Sequence, residues 1–173
     1  FYHSFLSQWF ELHRFDDIAV NPDEYLMFDE QVRYSARKEP IRLFEHLVKE
    51  NLSLTNLIDS DFAMLDPLLA QFYGIRGVEG QGFRKVKLPP ESPRGGLIGT
   101  TAFMIMGSTG DRTSPIIRGT LVLDKFLHDP SADPPPNVPE LTDASKEPLS
   151  VREMIELHQS KAQCASCHAK IDP

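Results

Sequence analysis

The sequence lacks several features that would point to a function class at once. It has two cysteines and one tryptophan among 173 residues, and no apolar run approaches the roughly 18 consecutive residues that a membrane-spanning helix needs. Lys and Arg number 18 against 25 Asp and Glu, so the net charge is -7 and the pI about 5.3. This absence of a basic surplus argues against a nucleic-acid partner and a polybasic membrane patch. We therefore expect no nucleic acid and no membrane span.

The chain also lacks a charged-then-apolar leader of the signal-peptide kind. With 40% hydrophobic residues it has enough apolar side chains for a real core, in one ordinary domain or in two small ones packed together. It opens at Phe1 without a methionine and stops at Pro173, five residues after His168. We therefore expect a piece of a longer protein.

Both cysteines lie in one short segment near the end of the chain, CASCH at residues 164–168. This CxxCH pattern is typical of covalent c-type haem attachment. Two thiols three residues apart can each reach one vinyl group of a porphyrin, and the histidine that follows supplies its imidazole to the iron. The spacing predicts Cys164 and Cys167 as haem anchors and His168 as the axial ligand.

Two other interpretations of the CxxC spacing stay open. A structural zinc site generally has about four N or S ligands, so the motif would need a further histidine from elsewhere in the chain. A redox or structural disulfide is the second alternative, but a CxxC redox motif usually follows a strand in a βαβ pattern. The stretch before Cys164 is instead helical in pattern, which favours haem.

The first third of the chain is dominated by helical patterns. Residues 1–15 carry apolar side chains at intervals of three and four, which predicts one amphipathic helix. Asn21-Pro22 predicts the start of a second helix, and its buried stripe is expected at Tyr25, Phe28, Val32 and Ala36. Pro40 either kinks this helix or begins a fresh one that runs to about Lys49, with inward side chains at Ile41, Phe44, Leu47 and Val48.

Shorter elements are expected in the middle of the chain. Residues 53–58 predict a helical turn, and Asp66-Pro67 predicts a capped helix that ends at Gly74. Alternating residues at 83–88 predict a short exposed strand. The apolar run at 97–108 fits a buried helix or a buried strand, because periodicity cannot decide at this length.

The last part of the chain combines a stiff connector with two further helices. Residues 107–111 predict a turn, and Ser114-Pro115 predicts the start of a helix. The prolines within 134–139 predict an extended arm, and Ser150 with Glu153 predicts a capping box before an amphipathic helix that leads to Cys164. The fold class expected is mainly α, with a few short strands or extended segments and a C-terminal haem-attachment helix or loop.

Several phrases occur in order along the chain and carry a resemblance to a known family: LIDSDF, LLAQFYGI, SPRGGLIG, DRTSPIIRGTLVL, PPPNVPEL and CASCHAKIDP. They resemble the paired domains of unknown function in large planctomycete cytochrome c-like proteins, the PSCyt-type family. The resemblance implies a helical module at residues 1–76, a connecting segment at 77–93 and a CxxCH-bearing cytochrome-like module at 94–173. It also implies an exported, multidomain protein with a redox or electron-transfer role, and it places the family's haem residues on Cys164, Cys167 and His168.

The haem iron would need a sixth ligand, which the motif does not supply. Met104 and Met106 are candidates, since a thioether opposite histidine raises the haem potential, but methionine in an apolar run is usually a core residue. His128 and His158 are rivals, and a missing C-terminal segment, another chain or water are further sources. Arginines in the phrases above are candidates for the haem propionates or for internal carboxylate pairing, namely Arg94, Arg112 and Arg118.

Three functions are compatible with these features. The leading hypothesis is an electron-transfer domain with covalent haem c, in a larger protein whose redox partner is unknown. The second is a haem enzyme with an open iron, of peroxidase or oxidase type, and the third is a structural module with a CxxC disulfide or zinc. Because haem is attached to CxxCH on the oxidising side of the bacterial membrane, we expect a periplasmic or cell-surface protein.

Overall fold

A computed structural model of the chain describes residues 1–132, 150–160 and 162–171. Within these residues there are eight α-helices, one 3-10 turn and one antiparallel sheet of two strands, which confirms the expected mainly α fold. The chain divides into two compact units, Phe1–Ser114 and Pro115–Pro173. The expected proline-rich arm lies outside the described residues, and the module boundaries at 76 and 94 stay a prediction. None of the described helices is long and apolar enough to cross a membrane.

The N-terminal segment forms two helices, α1 at Tyr2–Trp9 and α2 at His13–Asp17, so the prediction of one helix over 1–15 is wrong. The chain turns at Glu11, whose φ is 51°. Leu6, Phe10, Leu12 and Phe15 are all buried. On one continuous helix of 3.6 residues per turn, Leu12 and Phe15 would point away from Leu6. The break allows all four side chains to enter the same core.

Helix α3 at Glu30–Lys49 is the longest element of the first unit. It begins later than predicted, because the carboxylate of Asp29 caps it by accepting from the N–H groups of Gln31 and Val32. The helix continues through Pro40, so no fresh helix begins there. Three of the four predicted inward residues are buried, whereas Val48 is 44% exposed. Tyr25, predicted on the buried stripe, lies before the helix and is 42% exposed.

The small sheet joins β1 at Phe62–Leu65 to β2 at Arg84–Lys87, with Phe62 opposite Lys87 and Leu65 opposite Arg84. The exposed strand predicted over 83–88 is confirmed as β2. Strand β1 was not predicted, because all four of its residues are buried and its sequence shows no alternation. The helical turn predicted over 53–58 forms as a 3-10 turn at Leu54–Leu57.

Two short helices complete the first unit. Helix α4 at Pro67–Phe72 begins at the Asp66 cap and is followed by Gly74 at a φ of 72°, as predicted. The apolar run at 97–108 contains helix α5 at Thr101–Met106, so a helix, and not a strand, forms there. The predicted turn follows it, closed by a bridge between Ser108 and Thr113.

The second unit contains three described helices: α6 at Pro115–Lys125, α7 at Val151–Gln159 and α8 at Ala162–Ile171. The predicted capping box is confirmed, since Glu153 N–H donates to the Ser150 hydroxyl and Ser150 N–H donates to the Glu153 carboxylate at 2.8 Å. A Cβ atom at Gly119 would overlap the carbonyl oxygen of Ile171. Helix α6 therefore packs very closely against the end of α8.

Candidate functional site

Helix α8 carries the CxxCH motif of the second unit. Cys164, Cys167 and His168 occupy positions i, i+3 and i+4 of this helix, a spacing that puts side chains on one face. The sequence spacing and the helical geometry therefore bring the two thiols and the imidazole together.

The three side chains of the motif differ in burial. Cys164 is half-buried, Cys167 is exposed, and both are free thiols. His168 is only 9% exposed and interacts with neighbouring groups. One exposed and one half-buried thiol beside a buried imidazole fit covalent haem attachment, because the thiols must react with the porphyrin while the imidazole is withdrawn from water to bind iron.

Contacts at the C-terminal end of α8 fix its position. The carbonyl group of Ile171 lies against the backbone of Gly119 on α6. Lys170 pairs with Asp129 at 2.5 Å, an exposed ion pair of small energetic value. The close backbone approach at Gly119 is therefore the main described constraint on the helix that carries the motif.

One alternative interpretation of the CxxC spacing is a zinc site, in which protein side chains alone would bind the metal. In the described part of the chain, no three or more His, Cys, Asp or Glu side chains cluster in a way that could hold a metal ion. The described residues therefore offer no ligand set for a structural zinc site, which needs about four ligands. Haem differs in this respect, because its porphyrin supplies four of the ligands of the iron.

The first unit contains a separate cavity of about 220 Å³. Two residues predicted to serve the haem, Arg94 and Met104, both line it. Apolar side chains form most of the wall, namely Val20, Tyr25, Phe28, Phe72, Met104 and Ile105. This cavity is thus a concave, mainly apolar site with one charged group, a composition typical of small-molecule sites.

Arg94 is positioned by the glycines that follow it. A Cβ atom at Gly95 would overlap the carbonyl oxygen of Ser60, and one at Gly96 would overlap that of Ile58. The buried Ser60 hydroxyl accepts from the Gly96 N–H at 3.0 Å. This close backbone contact is available only to residues without a Cβ atom, and it fixes the loop from which the Arg94 side chain extends.

The Arg94 guanidinium lies over the ring of Tyr73, with Cζ 3.9 Å from the ring centroid. Its Nη1 donates to the carbonyl oxygen of Gly99 at 3.2 Å and to the hydroxyl of Thr101 at 3.4 Å. Stacking on an aromatic face and hydrogen bonds in the guanidinium plane are compatible with each other. The side chain is therefore held in a defined orientation at the cavity.

A buried carboxyl group, Glu39 of α3, lies behind this arginine and is 2% exposed. Its Oε2 accepts from the Tyr73 hydroxyl at 2.6 Å and from the Thr101 N–H at 3.1 Å. Burial raises the pKa of Glu39 to about 7, although both hydrogen bonds and the charge of Arg94 act to lower it. The carboxyl group is consequently harder to ionise than an ordinary glutamate.

The other predicted residues lie in different environments. Met106 is 2% exposed in the core of the first unit, unlike Met104 on the same helix. Arg112 is exposed in the turn after α5, and Arg118 lies half-buried on α6 in the second unit. The roles predicted for these four residues and for Arg94 stay predictions.

Neither Glu39 nor Thr101 was identified from the sequence. A signal for Glu39 was nevertheless present, because position 39 continues the series of inward positions on α3 at intervals of three and four: Val32, Ala36, Glu39, Leu43 and Leu47. A charged residue on an otherwise apolar helical stripe indicates a buried, hydrogen-bonded group.

Comparison with known protein families gives two matches. Residues 1–75 match the family model PSD4, described as a protein of unknown function (DUF1592). Residues 94–173, which include the CxxCH motif, match PSCyt3, also described as a protein of unknown function (DUF1588). No curated protein and no solved structure matches the chain. The two family names are those of planctomycete cytochrome-like domains.

Proposed function

We propose that this chain is a c-type haem-binding electron-transfer part of a larger exported protein. The observation that carries the proposal is the arrangement on α8, where two free thiols and a buried imidazole share one helical face. The match of residues 94–173 to a family with a cytochrome-like name supports it. A zinc site is less well supported, because the described residues lack the ligands for it.

Haem c, when bound, supplies an iron that changes its charge by one electron and passes that electron to a partner. The chain contributes the anchors and the environment. Cys164 and Cys167 would each add across one vinyl group, with a new bond from sulfur to carbon and the thiol hydrogen transferred to the neighbouring vinyl carbon. His168 holds its imidazole in a buried position on the same helical face as the two thiols, where it would bind the iron.

The proposal also includes candidates for the sixth ligand of the iron and for the side chains that pair with the haem propionates. Met104 is the better methionine candidate, because it lines a cavity whereas Met106 is buried in the core. Arg94, Arg112 and Arg118 are candidates for the propionates. A further segment of the longer protein, or another chain, is the alternative source of the sixth ligand. The proposal places the protein in an exported, oxidising compartment, with a redox partner protein of unknown identity.

The test is maturation of the chain in a bacterial host that carries a c-type haem attachment system. The expected product shows the mass increment of one haem, and this haem stays attached after denaturation and gives a c-type pyridine haemochrome spectrum. Cys164→Ser and Cys167→Ser should each lose one thioether bond, and the double variant should lose covalent haem. Ser160→Ala, an exposed change at the end of α7, is the matched control and should retain haem.

An absence of covalent haem from well-folded wild-type protein, in a host that matures a known cytochrome c, would overturn the proposal. Optical spectra then separate electron transfer from catalysis. A low-spin spectrum that does not shift when cyanide or peroxide is added supports electron transfer. A high-spin iron that binds both would contradict it and favour an enzyme.

A further inference from the structure

The cavity of the first unit has the size and lining of a ligand site. Its volume is about 220 Å³. A dry cavity of about 150 Å³ with apolar walls is enough for a benzene ring. The cavity therefore has room for one ring and a small substituent. Aromatic side chains of Tyr25, Phe28 and Phe72 line it and offer surfaces for stacked or edge-on contact with such a ring.

Arg94 is the one charged group in the described lining of this cavity. Its Nη1 is used by Gly99 and Thr101, whereas its Nε and Nη2 form no hydrogen bond with a described residue. Among the described residues, no carboxylate is within ion-pair distance of the guanidinium. The arginine is thus oriented by its neighbours while donors on its other side remain available.

Glu39 is the buried carboxyl group that interacts electrostatically with Arg94, and it balances the charge of the guanidinium only in part. Glu39 uses its Oε2 for Tyr73 and Thr101 and makes no direct hydrogen bond to the arginine. Burial raises the pKa of Glu39 to about 7, so it is less readily ionised than an ordinary carboxyl group. A carboxylate from a ligand would therefore meet an oriented guanidinium whose charge is only partly balanced, and such pairs are often bidentate.

We propose that this cavity binds a small aromatic monocarboxylate, with the ring among Tyr25, Phe28 and Phe72 and the carboxylate on Arg94. The apolar wall selects the ring, and the guanidinium selects the charge. This proposal concerns the first unit alone and does not depend on haem at the second.

Titration calorimetry with benzoate and phenylacetate tests the proposal, with benzamide and phenylacetamide as neutral probes of matched shape. We expect saturable binding of one carboxylate per chain, with the amides at least about tenfold weaker, which corresponds to about 1.4 kcal/mol. Arg94→Gln should weaken carboxylate binding by about tenfold or more and leave amide binding unchanged. Arg76→Gln, an exposed arginine outside the cavity, is the matched control and should change neither.

Two outcomes overturn the proposal directly: no binding of either carboxylate at millimolar concentration, or equal binding of carboxylates and amides. If Arg94→Gln fails to fold, Ile105→Phe supplies the second measurement. This change narrows the cavity and keeps the guanidinium, so it should remove binding of all four probes. Unchanged binding to Ile105→Phe would place the probes elsewhere and contradict the proposal.

A haem propionate has the same carboxylate chemistry as the probes. A separate experiment therefore tests whether the carboxylate that Arg94 binds belongs to haem or to a free ligand. The titrations are performed on the haem-free chain and on the haem-loaded chain. Binding to both forms supports a free carboxylate as the ligand of the cavity. Binding that is lost when haem is attached would assign the arginine to a propionate and overturn the proposal of a free ligand.

Discussion

The hydroxyl of Tyr73 donates a hydrogen bond of 2.6 Å to Oε2 of Glu39, deep inside the first unit. This bond joins the residue that follows α4 to the middle of α3. Thr101, at the start of α5, donates its N–H to the same oxygen and its hydroxyl hydrogen to the Tyr73 oxygen. One buried carboxyl group therefore links three helices, and its protonation state should influence how stable the unit is.

The pH dependence of stability should reflect Glu39. Its pKa is raised from 4.5 to about 7, so between these pH values the folded protein holds a proton that the unfolded chain has released. The free energy of unfolding should consequently fall by up to about 3 kcal/mol as the pH rises from 4.5 to 7, and this contribution should stay constant above that range. Urea unfolding at several pH values measures it.

Glu39→Gln is the variant that isolates this effect. The amide oxygen can still accept from Tyr73 and Thr101, but the group no longer titrates, so the decline between pH 4.5 and 7 should become shallower. Two other charged groups that act on Glu39, Arg94 and Asp66, remain in the variant. Glu50→Gln at an exposed position is the control. Parallel pH profiles for Glu39→Gln and the wild type would contradict the assignment.

Tyr73→Phe should destabilise the first unit. The change removes one of two donors to the buried carboxyl group, for which a cost of about 1–3 kcal/mol is expected. The cost should be larger at pH 8 than at pH 5, because the ionised carboxylate depends more on its donors than the protonated group does. Tyr34→Phe, whose hydroxyl is at the surface, serves as the comparison. Equal losses at both pH values would argue against a carboxylate that ionises in the folded state.

Gly96→Ala and Gly74→Ala should differ in cost although both glycines have positive φ, 63° and 72°. At Gly74 nothing lies within 4 Å of the added Cβ, so only backbone strain of about 1–2 kcal/mol is expected. At Gly96 the added atom would overlap the carbonyl group of Ile58, and this overlap should add about 1–3 kcal/mol. Thermal unfolding of the two variants compares them. Equal stability would mean that the loop after Arg94 is not held against Ile58.

His168→Ala tests the ligand role within the proposed function. Covalent haem should remain, because Cys164 and Cys167 are unchanged, but the low-spin spectrum should be lost and the reduction potential should shift. Imidazole added to the buffer should restore part of the low-spin signal, which a purely structural role would not explain. His13→Ala, at an exposed position of the first unit, should leave the spectrum unchanged. An unaltered spectrum in His168→Ala would exclude this histidine as the ligand.

Several elements were predictable because their signals are local. Asp66-Pro67 and the Ser150–Glu153 capping box mark helix starts within four residues, and both were confirmed. Strand β1 and the break at Glu11 were not predictable in this way. A strand buried on both faces shows no alternation, and the break serves a core whose other side chains are far away in sequence.

The two candidate sites differ in the same way, because one is a local sequence pattern and the other is assembled by the fold. The CxxCH motif is a local pattern, and helix α8 keeps its three residues on one face as the spacing predicts. The cavity gathers Tyr25, Phe72, Arg94 and Met104 from distant segments, and no sequence pattern connects them. The sequence indicates Arg94 and Met104 only as separate candidates, and the fold alone places both at one cavity.

By itself, the sequence determined the mainly α class, several helix starts and the chemistry available at Cys164, Cys167 and His168, because these depend on residues within about one helical turn of each other. The tertiary structure alone decided that Glu39 is buried with a raised pKa and that Arg94 stands oriented beside an apolar cavity. Both facts arise from desolvation and from contacts between segments far apart in the chain. Such effects depend on what surrounds a residue in space, and neighbours in sequence do not reveal that environment.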